Sequence, residues 1–141
     1  MKKRVLVVDD HEDILEVVRI VLEMAGYEVS TSLTGAYFQQ MENDLPDLIL
    51  LDVLLSGEDG REICQRLKGD EKTRHIPVIL LSAHAGLLKT AEECGANDFL
   101  AKPFRVTQLR DIVKKYLSLS SSTLPSSHGR QESVFESGAY Y

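Results

Sequence analysis

No stretch of this chain stays apolar for the roughly 18–20 residues that crossing a bilayer requires, so no membrane span is read in it. Positive charge is not in surplus either: 16 Lys and Arg stand against 22 Asp and Glu, a net charge of −6. A nucleic-acid surface would show a basic patch or stripe, so direct nucleic-acid binding is not expected. Cysteine is scarce. Cys64 and Cys94 lack CxxC or Cys/His metal spacing and sit in helical patterns, which predicts buried reduced thiols. The basic start Met1-Lys2-Lys3-Arg4 runs into a short apolar stretch and Asp9-Asp10, without the longer apolar segment and cleavage site of an export signal. A cytoplasmic protein is expected, with Met1 read as a natural start. No internal repeat is visible.

What the 141 residues do contain is enough for one domain with a sizeable core. Four apolar runs end in polar residues. Arg4-Val5-Leu6-Val7-Val8 runs into Asp9-Asp10, and Asp47-Leu48-Ile49-Leu50-Leu51 into Asp52. Pro77-Val78-Ile79-Leu80-Leu81 ends at Ser82, and Phe99-Leu100-Ala101 at Lys102-Pro103. A fifth, more polar strand is predicted at Tyr27–Thr31, nearer an edge. Between the strands lie helical patterns. The first spans His11 to Ala25, with Ile14, Val18, Val21, Leu22 and Ala25 on one face and Gly26 stopping it. A weak helix over Gly35–Glu42 ends before Pro46. A loop from Leu54 to Gly60 leads into a helix with Ile63, Cys64 and Leu67 inward, and Gly69–His75 forms a surface loop. A short helix covers Leu87–Cys94, closed by Gly95. The last helix follows Phe104, with Val106, Leu109, Val113 and Tyr116 or Leu117 on its buried stripe. Five βα units in strict alternation predict a doubly wound α/β domain. Residues 1–118 form that domain; from 119 to 141 the chain is a serine-rich tail without periodicity, expected to be flexible and too short for a DNA-binding domain.

Strands of a parallel sheet open their carboxyl ends on one edge. Three carboxylates, a hydroxyl and an ammonium therefore converge there. Each alone has a bland reading: acidic residues after strands often cap helices. Independent caps would not be expected to choose three acids, then a hydroxyl, then a lysine. Two carboxylates about 4 Å apart repel by roughly 4 kcal/mol at an effective dielectric near 20. A hard cation such as Mg²⁺ offsets that through oxygen ligands while keeping several waters. Lys102 adds positive charge, and the Ser82 hydroxyl can donate to a phosphoryl oxygen. Phosphoryl transfer depends mostly on such positioning and charge stabilisation. Asp52, alone on its strand, is the natural acceptor.

Val5–Asp10, Leu48–Asp52, Leu80-Leu81-Ser82-Ala83 and Lys102-Pro103-Phe104 resemble the receiver domain of two-component response regulators, over about Lys3 to Leu117. The likeness is to a stand-alone, chemotaxis-type regulator. It implies a flavodoxin-like five-stranded parallel sheet, order 2-1-3-4-5, with helices on both faces. It also implies a phosphoryl group passed to Asp52 from a histidine kinase or histidine phosphotransfer protein. Asp10 and Asp52 would ligate Mg²⁺ directly, Asp9 through water, and the Leu54 backbone carbonyl would complete the set. Ser82 and Lys102 would touch phosphoryl oxygens, and Phe99 would be the aromatic switch partner of Ser82. Such a receiver promotes its own phosphorylation and dephosphorylation but is a signalling protein, not an enzyme. It would act as a monomer or a phosphorylation-dependent dimer, or else as a relay intermediate or a fragment of a larger regulator.

Four departures from the family pattern stand out. Ser56 replaces a common proline, and Leu54 and His84 flank the acceptor, where they would tune phosphoryl lifetime. The stretch from Ser82 to Gly95 is about two residues short. Output is expected through an unknown protein partner on the face of the fourth helix, fifth strand and fifth helix, around Lys89, Glu93, Arg110, Lys114 and Lys115. Two other classes fit less well. A Mg²⁺-dependent aspartyl phosphatase needs D-x-D on the first strand, where Asp9-Asp10-His11 stands. A flavodoxin-like cofactor binder would want a Gly/Ser/Thr-rich phosphate loop at that same place.

Overall fold

The apolar runs become strands because they are buried on both sides, as parallel strands under helices must be. In the computed structural model, which describes residues 2–41, 44–83 and 86–118, β1 is Arg4–Val8, β2 Glu28–Ser32, β3 Leu48–Asp52, β4 Val78–Ser82 and β5 Asp98–Ala101. All neighbouring pairs are parallel, in the order β2-β1-β3-β4-β5. β3 and β4 are buried at every residue. β2, with its polar sequence, lies at the edge and is only partly covered. This is the flavodoxin-like doubly wound sheet the alternation implied.

Side chains alternate across each strand, so one sheet feeds two cores. Leu6, Val8, Ile49, Leu51, Val78 and Leu80 face one layer. There they meet Ile63, Cys64 and Leu67 of α3 (Gly60–Gly69) and Ala91 and Cys94 of α4 (Leu87–Cys94). Val5, Val7, Leu48, Leu50, Ile79 and Leu81 face the other. There they meet Leu15, Val18 and Leu22 of α1 (Glu12–Met24) and Leu109, Val113 and Leu117 of α5 (Val106–Leu117). Both cysteines are buried free thiols, and burial pushes Cys64 up to about 12.

Three details differ from the sequence expectation. The α1 stripe is centred on Leu15, Val18 and Leu22, while Ala25 is exposed. The helix has ended at Met24, and Ala25 serves as its C-cap as the chain turns toward β2. The weak helix shrinks to one turn, α2 (Tyr37–Gln40). The loop after β3 is instead a small antiparallel ladder, Leu54–Leu55 against Glu58–Asp59. That hairpin folds back so closely that the Gly60 N–H donates to the Val53 carbonyl at 2.8 Å.

Gly60 must stay bare. A Cβ there would run into the Asp52 carbonyl oxygen and the Val53 backbone. Gly60→Ala is therefore expected to cost about 1–3 kcal/mol, the usual range for forcing atoms into packed space. Chemical denaturation measures the loss. Gly95 has a different reason: as the α4 C-cap it has φ +83°, a left-handed backbone that other residues adopt at a cost.

Candidate phosphoryl-acceptor site

β1 delivers Asp9 and Asp10 to the carboxyl edge in unequal surroundings. Asp9 is fully buried. Its Oδ1 accepts the His11 backbone N–H at 3.0 Å, and its Oδ2 accepts from Lys102 Nζ at 2.7 Å. Asp10 is partly exposed, and its Oδ2 accepts the Ser56 hydroxyl at 2.8 Å. Its Oδ1 is buried, with no hydrogen-bond partner among the described residues.

Asp52 ends β3 beside Leu81 of β4, with its side chain only 5% exposed. Burial, the main cause, and the negative charges of Asp9 and Asp10 push its pKa up to about 6, against the opposing pull of Lys102. Lys102 Nζ stands 3.5 Å from Asp52 Oδ1. One ammonium thus bridges the acceptor and the buried acid of the other strand. Ser82 is buried at the end of β4, and its carbonyl accepts the Lys102 N–H at 2.9 Å, which fixes β5 beside it. A cavity of about 220 Å³ opens over these groups, lined by His11, Asp52, Leu54, Ser82, Ala83 and Lys102.

The structure therefore gathers Asp9, Asp10, Asp52, Ser82, Lys102 and Leu54 at one edge. Phe99 is not in the cavity wall; it is half-buried on β5 and packs against the α3–α4 layer. His84 and residues 119–141, the tail, lie outside the described residues. Of the expected output face, Lys89, Glu93, Arg110 and Lys114 are exposed, and Lys115 Nζ pairs with Asp98 Oδ2 at 3.4 Å. Tyr116 adds a hydrogen bond from its hydroxyl to Asp98 Oδ2 at 2.8 Å, which ties α5 to β5.

Two participants escaped the sequence reading. His11 was passed over as the residue that spoils a D-x-D pattern, yet its Nδ1 lies 3.0 Å from Asp9 Oδ1 and 3.2 Å from Asp10 Oδ1. Its place directly after the acidic pair was the available signal. Ser56 was read only as standing where a proline is common, whereas its hydroxyl holds Asp10.

Asp9, Asp10, His11 and Asp52 each offer a ligand atom, all within 4.8 Å of one another. With Asp10 Oδ1 buried and making no hydrogen bond among the described residues, this oxygen-rich set fits a hard divalent cation such as Mg²⁺.

The response regulator receiver domain model matches residues 5–114. The regulator RpaA of Synechocystis, a DNA-binding dual master transcriptional regulator, is 41% identical over 117 residues, covering 81% of this chain and 48% of RpaA. Sporulation initiation phosphotransferase F of Bacillus subtilis is 35% identical, covering 86% of this chain and 99% of the relative. The chain thus spans about half the length of RpaA but nearly all of the phosphotransferase. Among solved structures, the receiver domain of the Pseudomonas aeruginosa sensor histidine kinase PA1611 superposes with TM-score 0.76 at 28% identity, covering 84% of this chain and 99% of that one. That structure has a magnesium ion coordinated in its active-site cleft.

Proposed function

Because the chain belongs to the response regulator receiver family, we propose that it accepts a phosphoryl group on Asp52 from a histidine kinase or histidine phosphotransfer protein. The observation that carries this is the buried acceptor carboxylate sharing one ammonium with Asp9 beneath an open cavity. In the transfer, an Asp52 oxygen forms the new P–O bond while the P–N bond of the donor phosphohistidine breaks and the imidazole leaves. Lys102 shifts from neutralising carboxylates to pairing with a phosphoryl oxygen, and the Ser82 hydroxyl donates to another. Asp9, Asp10, Asp52 and the Leu54 carbonyl would hold Mg²⁺. Bound there, the ion would offset the charge of the carboxylates and the incoming phosphoryl oxygens.

Leu54, 53% exposed at the cavity mouth, and His84 tune how fast water reaches the acyl phosphate. Phe99 and Ser82 form the switch, and the face of α4, β5 and α5 passes the signal to a protein partner in the cytoplasm. A nearly complete switch, from 1:99 to 99:1, needs about 5.5 kcal/mol of differential stabilisation. No helix among the described residues is long and apolar enough to cross a membrane.

Incubation with a small acyl or amino phosphodonor and Mg²⁺ is expected to add one phosphoryl group, mapped by mass spectrometry to the Asp52 peptide. A labelled site elsewhere, or none, would overturn the assignment. Replacing Leu54 with a small polar residue should change the decay rate of phospho-Asp52; a rate equal to the parent would place water control elsewhere. Amide shifts around Phe99 and α5 on phosphorylation test the output face, and shifts confined to the metal site would exclude it.

A further inference from the structure

We infer that His11 is a nitrogen ligand of this metal site and biases it toward a divalent transition ion, with Co²⁺ as the probe, over Mg²⁺. The inference rests on the metal-binding part of the proposed function. His11 stands at the junction of β1 and α1, where its backbone N–H is held by Asp9 Oδ1 at 3.0 Å. That tether aims the ring back over the acids. Its side chain makes no cap for α1, although the residue occupies the capping position. Nδ1 instead sits between Asp9 Oδ1 and Asp10 Oδ1, at 3.0 and 3.2 Å.

The Asp10 oxygen in that pair is the buried atom that makes no hydrogen bond among the described residues. A carboxylate oxygen of Asp52 belongs to the same set, whose members all lie within 4.8 Å of one another. The His11 side chain is 67% exposed, so a cation from solvent can reach Nδ1 directly. Nothing has to unfold for this.

Ligand chemistry then sets the preference. Mg²⁺ takes oxygen donors in octahedral geometry and gives up water reluctantly, so an adjacent imidazole gains it little. Imidazole suits the later first-row ions, whose affinity for nitrogen sites climbs along the series from Mn²⁺ to Cu²⁺. A site of three carboxylates and one imidazole therefore favours such an ion over Mg²⁺ by a wider margin than three carboxylates alone would. The competing account makes the ring only a hydrogen-bond donor that balances Asp9, which would act on both ions alike.

Calorimetric titration of tag-free protein with Co²⁺ and with Mg²⁺ separates the two accounts. Changing a group that merely supports a metal ligand already costs about ten- to a hundredfold in affinity. His11→Ala should therefore lower Co²⁺ affinity by at least about tenfold while Mg²⁺ affinity moves by no more than about twofold. The Co²⁺ ligand-field absorption should change with it, and His11→Gln, which keeps a polar side chain, should behave as His11→Ala does. Equal loss for both ions, or no loss for either, would overturn the inference and leave the Mg²⁺ site intact. Asp10→Ala is the control, expected to lose both ions. A parent chain that binds neither ion would overturn the metal reading together with this inference.

Discussion

Asp52→Asn is expected to yield a chain that takes no phosphoryl group and yet is more stable than the parent at neutral pH. The first half follows from removing the nucleophilic carboxylate. The second follows from where that carboxylate sits. Burial, reinforced by the charges of Asp9 and Asp10, raises the Asp52 pKa from 3.8 to about 6. A carboxyl whose folded pKa is raised favours folding in its protonated form. Its contribution is fully present below the unfolded value and is lost as pH rises through the folded one. About two units correspond to roughly 3 kcal/mol, all of it charged against the parent above pH 6. Asparagine is neutral throughout and escapes the penalty. Metal-free denaturation curves should therefore show the variant ahead by up to about 3 kcal/mol at pH 7 and level near pH 4. A gap of the same size at both pH values would show that burial of charge is not the cause. Adding Mg²⁺ should narrow the gap, because an ion held partly by Asp52 stabilises the parent more than the variant.

Lys102→Met should act in the opposite direction and further. Lys102 is 14% exposed, and its ammonium lies 2.7 Å from a carboxylate with no exposure at all. Removing one partner of a buried pair leaves the other charge uncompensated, a loss of about 3–5 kcal/mol. Methionine keeps most of the stem, so the loss reports charge more than packing. The Asp52 carboxyl should rise above its present value, since Lys102 is what pulls it down. Phosphorylation by a small donor should slow sharply in the same variant. Urea melts of the single variants and of Lys102→Met with Asp9→Asn close a double-mutant cycle. Recovery of most of the loss in the double variant is the expected result. A purely additive outcome would mean that the Asp9–Lys102 contact carries no coupling.

Much of this architecture was legible because apolar runs ending in polar residues encode both strand and polarity. The doubly wound alternation followed directly, and it was enough to bring Asp9, Asp52, Ser82 and Lys102 to one edge. The edge position of β2 could be read from its polar character. Contacts that depend on a few degrees of backbone could not. The Leu54–Asp59 ladder turns on Ser56-Gly57, a turn signal too short-ranged to show that the flanking pairs would form a ladder, and without that ladder the route of Ser56 to Asp10 is invisible. The unequal surroundings of Asp9 and Asp10 were hidden for a similar reason. Two adjacent identical residues look alike until a lysine 93 positions away takes one of them. Ala25 was misplaced because its position fits the helical period, while the helix stops one residue earlier. Leu15 was overlooked by starting the stripe at Ile14; the two lie about 100° apart around the helix, and Leu15 is buried while Ile14 is only partly covered.

A wall with a filled room on each side lets the rooms be refurnished separately. Residues of opposite faces of this sheet, such as Leu50 and Leu51, belong to different apolar layers. Exchanges in α1 and α5 meet one layer, and exchanges in α3 and α4 meet the other. Because side chains on opposite faces of a strand do not touch, the costs of paired changes across the wall should simply add. A lineage could thus rework the α1–α5 side for a new acquaintance while the α3–α4 side drifts at its own pace. What both sides share is the row of strand ends, and there neither can move without the other's consent.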